Sequence, residues 1–511
     1  MQRRTQARAA VPAAKAAARR SPPNAPRWLL PAAGALAIAV PLMMIAIAYA
    51  HGVALGFPLD DAWIHLQYAR TLSTSGAFAY GPGEPATTGS TSVLFTLLEA
   101  AAFLVTSNEK AIGLALSVAA HVAFVIAFVP WASARLGAGW AALAVALLAC
   151  DGRFGELAAS GMETSLFLAC MAAAFLARLQ ARPLVTAVAL GVAVWARPEG
   201  LVLAGVFALD SWLEQRARAV RWDALLAFAV LAAGWLVFNH AVGGEWLPQT
   251  MAAKAAAYGR RTLAQYAGED VLPTLGGAWL LLLPFFALAV WRELRALLAR
   301  SGHAGPRAEV GWALALVLAY AISLRYSHRF NRYLLPVLPA YAIASVAGLR
   351  DVLARVRGRA AASRWAAVAG VLLLVAQMLY FWPALEEYGR FVHYHRERHE
   401  AAGRWLAANT PPQAVVATHD VGAIAFYSHR RVVDLAGLVT PEVVPHLGQR
   451  DFLPFLDGLL ARRGVTRVAV LENWMSVRGA APLWEATREP EVLHIYPWQP
   501  GVTHLAPPTS R

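Results

Sequence analysis

Long apolar stretches, broken by short arginine-rich loops, recur from Trp28 to about residue 383 and leave this chain few ways to fold. Where lipid surrounds a chain, backbone polar groups must bond internally, so an apolar stretch of about twenty residues crosses as a helix. Only 15% of the 511 residues are charged and 58% are hydrophobic, too few charges to coat a soluble protein of this length. The chain therefore reads as a polytopic α-helical membrane protein. A formal charge of +14 would suggest nucleic acid in a soluble protein. Here Lys and Arg cluster between apolar stretches, as topology-setting loops do, which argues against a nucleic-acid partner. Cys150 and Cys170 fall in or beside these stretches and imply neither a disulfide framework nor a thiolate metal site.

Charge also sets the count. The loops Arg178–Arg182, Arg216–Arg221, Arg292–Arg307 and Arg350–Arg364 all belong on the cytoplasmic side by the positive-inside rule. Working back from them, Trp28–Ala50 and Ala111–Trp131 are spans, and Ser92–Thr106, short and carrying Glu99, is an amphipathic helix at the outer interface. Further spans start near Gly139, Met162, Pro183, Gly200, Trp222, Leu275, Val310, Tyr333 and Trp365, making about eleven. Residues 1–27, basic and rich in Ala and Pro, read as a disordered cytoplasmic arm. Residues 28–383 form the transmembrane domain. Residues 384–511 hold alternating runs, Ala414–Thr418, Arg431–Leu435, Val465–Leu471 and Glu491–Tyr496, with a helix around Phe452–Arg462. They predict a small extracytoplasmic α/β domain. The C-terminus lies outside and the N-terminus inside, in a bacterial cytoplasmic membrane.

The first outer loop, His51–Lys110, carries the chemistry. Asp60-Asp61 follows the first span, and adjacent acids repel one another where water is scarce. They serve either a proton or metal task or the start of an exposed helix. If Asp60–Thr71 is helical, Asp61, His65 and Tyr68 share one face, while Trp63, Leu66 and Ala69 rest on the membrane. The run Thr87-Thr88-Gly89-Ser90-Thr91-Ser92 offers hydroxyls and helix N–H groups to phosphate or sugar oxygens, or a plain N-cap. Lys254, Arg325, Arg329 and Arg332 lie on the outer side, where they meet a lipid phosphate or anionic headgroups. Arg197 and Glu199 flank Pro198 between two short spans, in a paired structural role or at the substrate. His393, His395 and His399 with Glu397 and Glu400 look like a ligand cluster, but their spacing fits a solvated helix leading into the outer domain. Thr418-His419-Asp420-Val421-Gly422 forms a structural turn or touches an acceptor glycan.

The order span, Asp60-Asp61-Ala62-Trp63-Ile64, Gly81-Pro82-Gly83-Glu84, Thr88-Gly89-Ser90-Thr91-Ser92 resembles the polyprenyl-phosphate-sugar-dependent glycosyltransferases of the GT-C fold. The branch it resembles includes bacterial arabinofuranosyltransferases; protein mannosyltransferases and aminoarabinose transferases are more distant. Ser160–Leu166, Ala196–Gly200, Leu247–Thr250 with Lys254, and Arg332–Pro336 match further pieces, so the resemblance covers most of residues 28–350. It implies an inverting transfer of a sugar from a polyprenyl-phosphate donor to a glycan or lipid acceptor outside the membrane. It assigns Asp60 as the base, Asp61 as support or a ligand to a divalent cation (Mg, Mn or Ca), and Glu163 as a second acid. His65, Tyr68, Thr88, Ser90, Arg197, Glu199, Lys254, Arg329 and Arg332 would bind substrate. Thr88 stands where some relatives carry an acid and Val93 where they carry Pro, which leaves the metal open. A hexosyl or mannosyl transfer to protein or lipid-linked oligosaccharide is the alternative. A lipid or polysaccharide transporter would instead spread its charges along a path near mid-membrane, whereas these acids gather at one face.

Overall fold

In the computed structural model, a helix forms at each stretch expected to span. The structure describes residues 26–214, 221–258, 261–299, 305–356, 358–486 and 491–508, so most of the expected N-terminal arm lies outside the described residues. Among those described, five helical runs are long and apolar enough to cross a membrane, including Leu29–Ala50, Glu109–Leu136 and Trp222–Gly243. A sixth is counted if Leu263–Thr274 and Ala278–Leu298, bent by 106°, form one span. Ala138–Ala149, Thr164–Leu179 and Pro183–Ala196 are shorter. Shortness is tolerated where neighbours take the place of lipid: Thr164–Leu179 packs between other helices, and every residue from Leu338 to Leu349 is buried. Trp131 anchors this core, stacked on Phe175 at 4.3 Å with its indole N–H on Glu309.

The arginine-rich loops converge on one end of the bundle. Arg135 bonds Glu309 at 2.7 Å, Arg350 reaches the Arg135 carbonyl at 3.3 Å, Arg178 pairs with Asp210, and Arg292 with Asp351.

At the opposite end, the first-loop helix Asp61–Ser75 ends on Gly76, which takes the left-handed conformation that side chains resist. The expected interfacial helix is Val93–Phe103, with Ser92 accepting the Phe95 N–H as its N-cap. Leu97, Leu98, Leu104 and Val105 are exposed, while Glu99 turns fully inward. Trp63, Leu66 and Ala69 correct the expectation of membrane contact. All three are buried, and Trp63 packs on Phe426 and Tyr427 of the C-terminal domain with ring centroids 5.3 and 5.0 Å away.

The 37-residue helix Arg359–His395 runs unbroken through residue 383 into that domain. Its strands are β1 Val415–Thr418, β2 Arg431–Asp434, β3 Arg467–Leu471, β4 Ser476–Arg478, β5 Trp484–Ala486, β6 Leu493–Pro497 and β7 His504–Ala506. β1, β2, β3 and β6 and the helix Phe452–Arg462 fall where the alternation places them; the three-residue strands β4, β5 and β7 are too short to show a period. The main sheet runs β2-β1-β3-β6-β5, parallel across β2, β1 and β3 and antiparallel beyond.

Candidate functional site

Two cavities meet at Asp61, which begins its helix at the end of the bundle opposite the arginine-rich loops. The first, about 220 Å³, runs between bundle helices and is lined by apolar side chains such as Val202, Leu316 and Leu324; Lys254 and Arg332 stand beside Asp61. The second, about 380 Å³, opens between the first loop, Arg329 and the C-terminal domain.

From Asp61 a chain of polar contacts runs along the first cavity. Its Oδ2 accepts from Lys254 Nζ at 3.3 Å and from Arg332. Lys254 also donates to the Tyr333 hydroxyl at 2.8 Å. Tyr333 stacks on Tyr320 with ring centroids 5.5 Å apart, and the Tyr320 hydroxyl bonds Glu199. Arg197 forks between Glu199, at 2.5 Å, and Glu163, at 2.6 Å. The other Glu163 oxygen lies 3.3 Å from His65 Nε2, and His65 Nδ1 bonds Ser90 at 2.7 Å. Burial alone would raise the Asp61 carboxyl, but Lys254, Arg332 and His328 outweigh it and hold it well below the usual carboxylate range.

Asp60 turns the other way. Its two oxygens accept the N–H groups of Gly422 at 2.7 Å and Ala423 at 2.8 Å, the first turn of the C-terminal-domain helix Gly422–Ser428. A Cβ on Gly422 would lie 2.1 Å from the Asp60 carbonyl oxygen, so only glycine permits this approach. Burial pushes the Asp60 carboxyl up to about 6 and Asp420 adds to it; His399 and the two N–H groups pull against them.

Several expected substrate contacts are spent inside the protein. The Tyr68 hydroxyl meets Thr87 Oγ1 at 2.5 Å and accepts the Gly89 N–H at 3.1 Å. Thr88 exchanges two bonds with Gln249, at 3.1 and 3.2 Å, which fastens the first loop to the residues preceding Lys254. Ser90 bridges His65 and Thr96. Tyr68, Thr88 and Ser90 thus brace the loop and do not line either cavity. His65 also lines neither, acting through Glu163. Arg325 bonds the Arg261 carbonyl and stands away from both cavities. Arg329 lines the second, stacked over Phe391 at 4.1 Å.

The histidine run is not solvated. His395, His399 and Glu400 are buried, each matched to a distant or neighbouring group: His395 Nδ1 to His399 Nδ1 at 3.1 Å, His399 Nε2 to Asp420 at 2.9 Å, and Glu400 to Lys110 at 3.0 Å. Among the described residues no group of three His, Cys, Asp or Glu side chains is arranged to hold a metal. Asp61 does not fit the part of cation ligand in this arrangement, because two cationic side chains already crowd its Oδ2.

Tyr320, Asn473 and Trp474 escape sequence reasoning. The first reads as an ordinary apolar-stretch residue, and the other two follow a strand whose neighbours only the fold supplies.

A domain of unknown function (DUF8728) matches residues 390–503. No curated protein matches the chain. ArnT from Cupriavidus metallidurans bound to undecaprenyl phosphate is similar in structure over 90% of this chain and 97% of its own, at 14% identity and a TM-score of 0.56. The Archaeoglobus fulgidus oligosaccharyltransferase, in complex with Zn and sulfate, is similar over 87% of this chain and 68% of its own, at 13% identity and a TM-score of 0.57.

Proposed function

Given a chain with the GT-C glycosyltransferase fold, we propose that it moves a sugar from a polyprenyl-phosphate donor to an acceptor hydroxyl on the outer side of a bacterial cytoplasmic membrane. The observation that carries this reading is the position of Asp61 at the junction of an apolar cavity flanked by Lys254 and Arg332 and a polar cavity reaching the outer domain. A polyprenyl chain suits the apolar walls, and the two cations suit its phosphate. Undecaprenyl phosphate is the ligand of the similar ArnT structure, and an acceptor peptide with an NVT sequon is tethered in a second structure of the archaeal enzyme.

As the phosphate draws Lys254 and Arg332 to itself, Asp61 loses the charges that depress its carboxyl and becomes a better base. The acceptor oxygen attacks the anomeric carbon, its proton passes to Asp61, and the carbon–oxygen bond to phosphate breaks. The electron pair leaves on the lipid phosphate, steadied by Lys254 and Arg332. Attack opposite the leaving group inverts the anomeric centre. Glu163, Arg197 and Glu199 hold the far end of the polar chain, with Arg197 and Glu199 turned into the cavity beside the sugar. This reading exchanges the roles expected of the acidic pair: Asp61 takes the proton, and Asp60 positions it by clamping the outer domain.

Radiolabelled transfer, measured in membranes with several polyprenyl-phosphate sugars, tests the assignment. Asp61→Asn is expected to lower the rate by about 10²- to 10⁴-fold, the usual worth of a general base. Asp60→Asn is expected to cost less. Full activity in Asp61→Asn would remove it from the mechanism.

A further inference from the structure

The wall of the second cavity opposite the first loop belongs to the C-terminal domain, and its position follows from the sheet. β1, β2 and β3 run parallel, and the residues just past their C-terminal ends (His419 and Asp420, Ala436 and Leu438, Asn473 and Trp474) line the cavity. The ends of parallel strands are where open α/β sheets place their ligands.

The side chains there are fixed and incompletely bonded. His419 lies flat on Trp474, with ring centroids 4.3 Å apart and planes 7° apart. Its Nε2 is 3.4 Å from the Asp420 carboxylate, while its Nδ1 is buried with no hydrogen-bond partner among the described residues. His395 repeats the pattern: Nδ1 faces His399 and Nε2 has no partner. The two histidines are only 8% and 6% exposed, so water does not readily satisfy those nitrogens. Asp420 keeps a third of its side chain open, and the Asn473 amide, held by Glu491 at 2.6 Å, presents its oxygen on an exposed residue. Imidazole nitrogens, an amide and an aromatic ring, with the carboxylates of Asp60, Asp61, Asp420 and Glu491 set against Lys254 and Arg329, match a ligand rich in hydroxyls and poor in charge.

We propose that the C-terminal domain reads the acceptor, and that this cavity takes a neutral sugar residue of a glycan, presenting one hydroxyl toward Asp61. The assignment rests on the transfer reading above and selects a glycan over a lipid or a peptide. Purified full-length protein in lipid nanodiscs is titrated calorimetrically with undecaprenyl phosphate and, separately, with arabinan, mannan and glucan tetrasaccharides and a sequon peptide. At least one tetrasaccharide is expected to bind, and His419→Ala and Asn473→Ala to weaken it about tenfold or more, a loss of one or two good hydrogen bonds. Undecaprenyl phosphate affinity is expected to stay unchanged in both variants. If His419→Ala fails to fold, the exposed Asn473→Ala carries the test. Binding of no tetrasaccharide, binding of the peptide instead, or variants that bind sugar as well as the wild type would each overturn the proposal. Failure of the wild type to bind undecaprenyl phosphate overturns the donor reading and leaves the sugar titration to be judged by itself.

Discussion

Arg197 stands between Glu163 and Glu199, three ionisable groups taken out of water together. A buried ion costs several kcal/mol to desolvate, and each here is offset only by its partners. Arg197→Ala leaves two carboxylates facing one another, and the expected loss is about 3–5 kcal/mol of stability, read as a lowered thermal midpoint in detergent. Arg197→Lys keeps the charge but cannot fork, so it is expected to recover only part of that loss. Asp60 gives a pH signature. Its carboxyl titrates near 6 in the folded protein against an unfolded value near 4, so the folded state holds the proton more tightly. Stability from this group is full at low pH and declines as pH rises through the window from about 4 to about 6, then levels. Thermal midpoints measured across that window should fall more steeply for the wild type than for Asp60→Asn. Equal slopes would show that Asp60 does not titrate there. That Asp60 is special is legible from its place after the first span; what it does is not, because its partners Gly422 and Ala423 lie some 362 residues away.

The docking of Gly422–Ser428 onto Asp61–Ser75 is the element-scale counterpart of that bond. Trp63 fills the seam against Phe426 and Tyr427, and Asp60 caps the incoming helix. Gly422→Ala puts a methyl group where the Asp60 backbone lies, and overpacking of this kind costs about 1–3 kcal/mol. The expected outcome is a lower thermal midpoint and faster protease cleavage of the C-terminal domain. Gly34→Ala, with open space around it, is the matched control and should change neither. An unaltered Gly422→Ala protein would mean that the seam is looser than its contacts indicate. Elements whose signal is local were legible in the sequence: the Val93–Phe103 helix with its Ser92 cap, and the strands β1, β2, β3 and β6. Elements whose surroundings come from elsewhere were not. The outward reading of Trp63 failed because a soluble-looking domain, rather than lipid, covers it. The histidine run looked solvated because Lys110 and Asp420, which neutralise it, are supplied by the fold.

Across the whole molecule, charge separates the two ends. One end gathers arginines from loops far apart in sequence, with Arg135, Arg178, Arg292 and Arg350 set among Glu309, Asp210 and Asp351. The other carries Asp61, Lys254, the Val93–Phe103 helix and the C-terminal domain. Cytoplasmic loops are enriched in Lys and Arg, so the arginine end is expected inside and the site outside. Single cysteines placed in a background lacking Cys150 and Cys170 report this directly through a membrane-impermeant maleimide. Thr106→Cys, beside the Val93–Phe103 helix, and Ala408→Cys, in the C-terminal domain, sit at exposed positions and should label in intact cells. Gln180→Cys, at the arginine end, should label only after permeabilisation. Protection of Thr106→Cys in intact cells would mean that Val93–Phe103 leads across the membrane instead of along it. The span count would then change by one, and every later loop would exchange sides, which would part Lys254 and Arg332 from Asp61 against the ion pairs that join them.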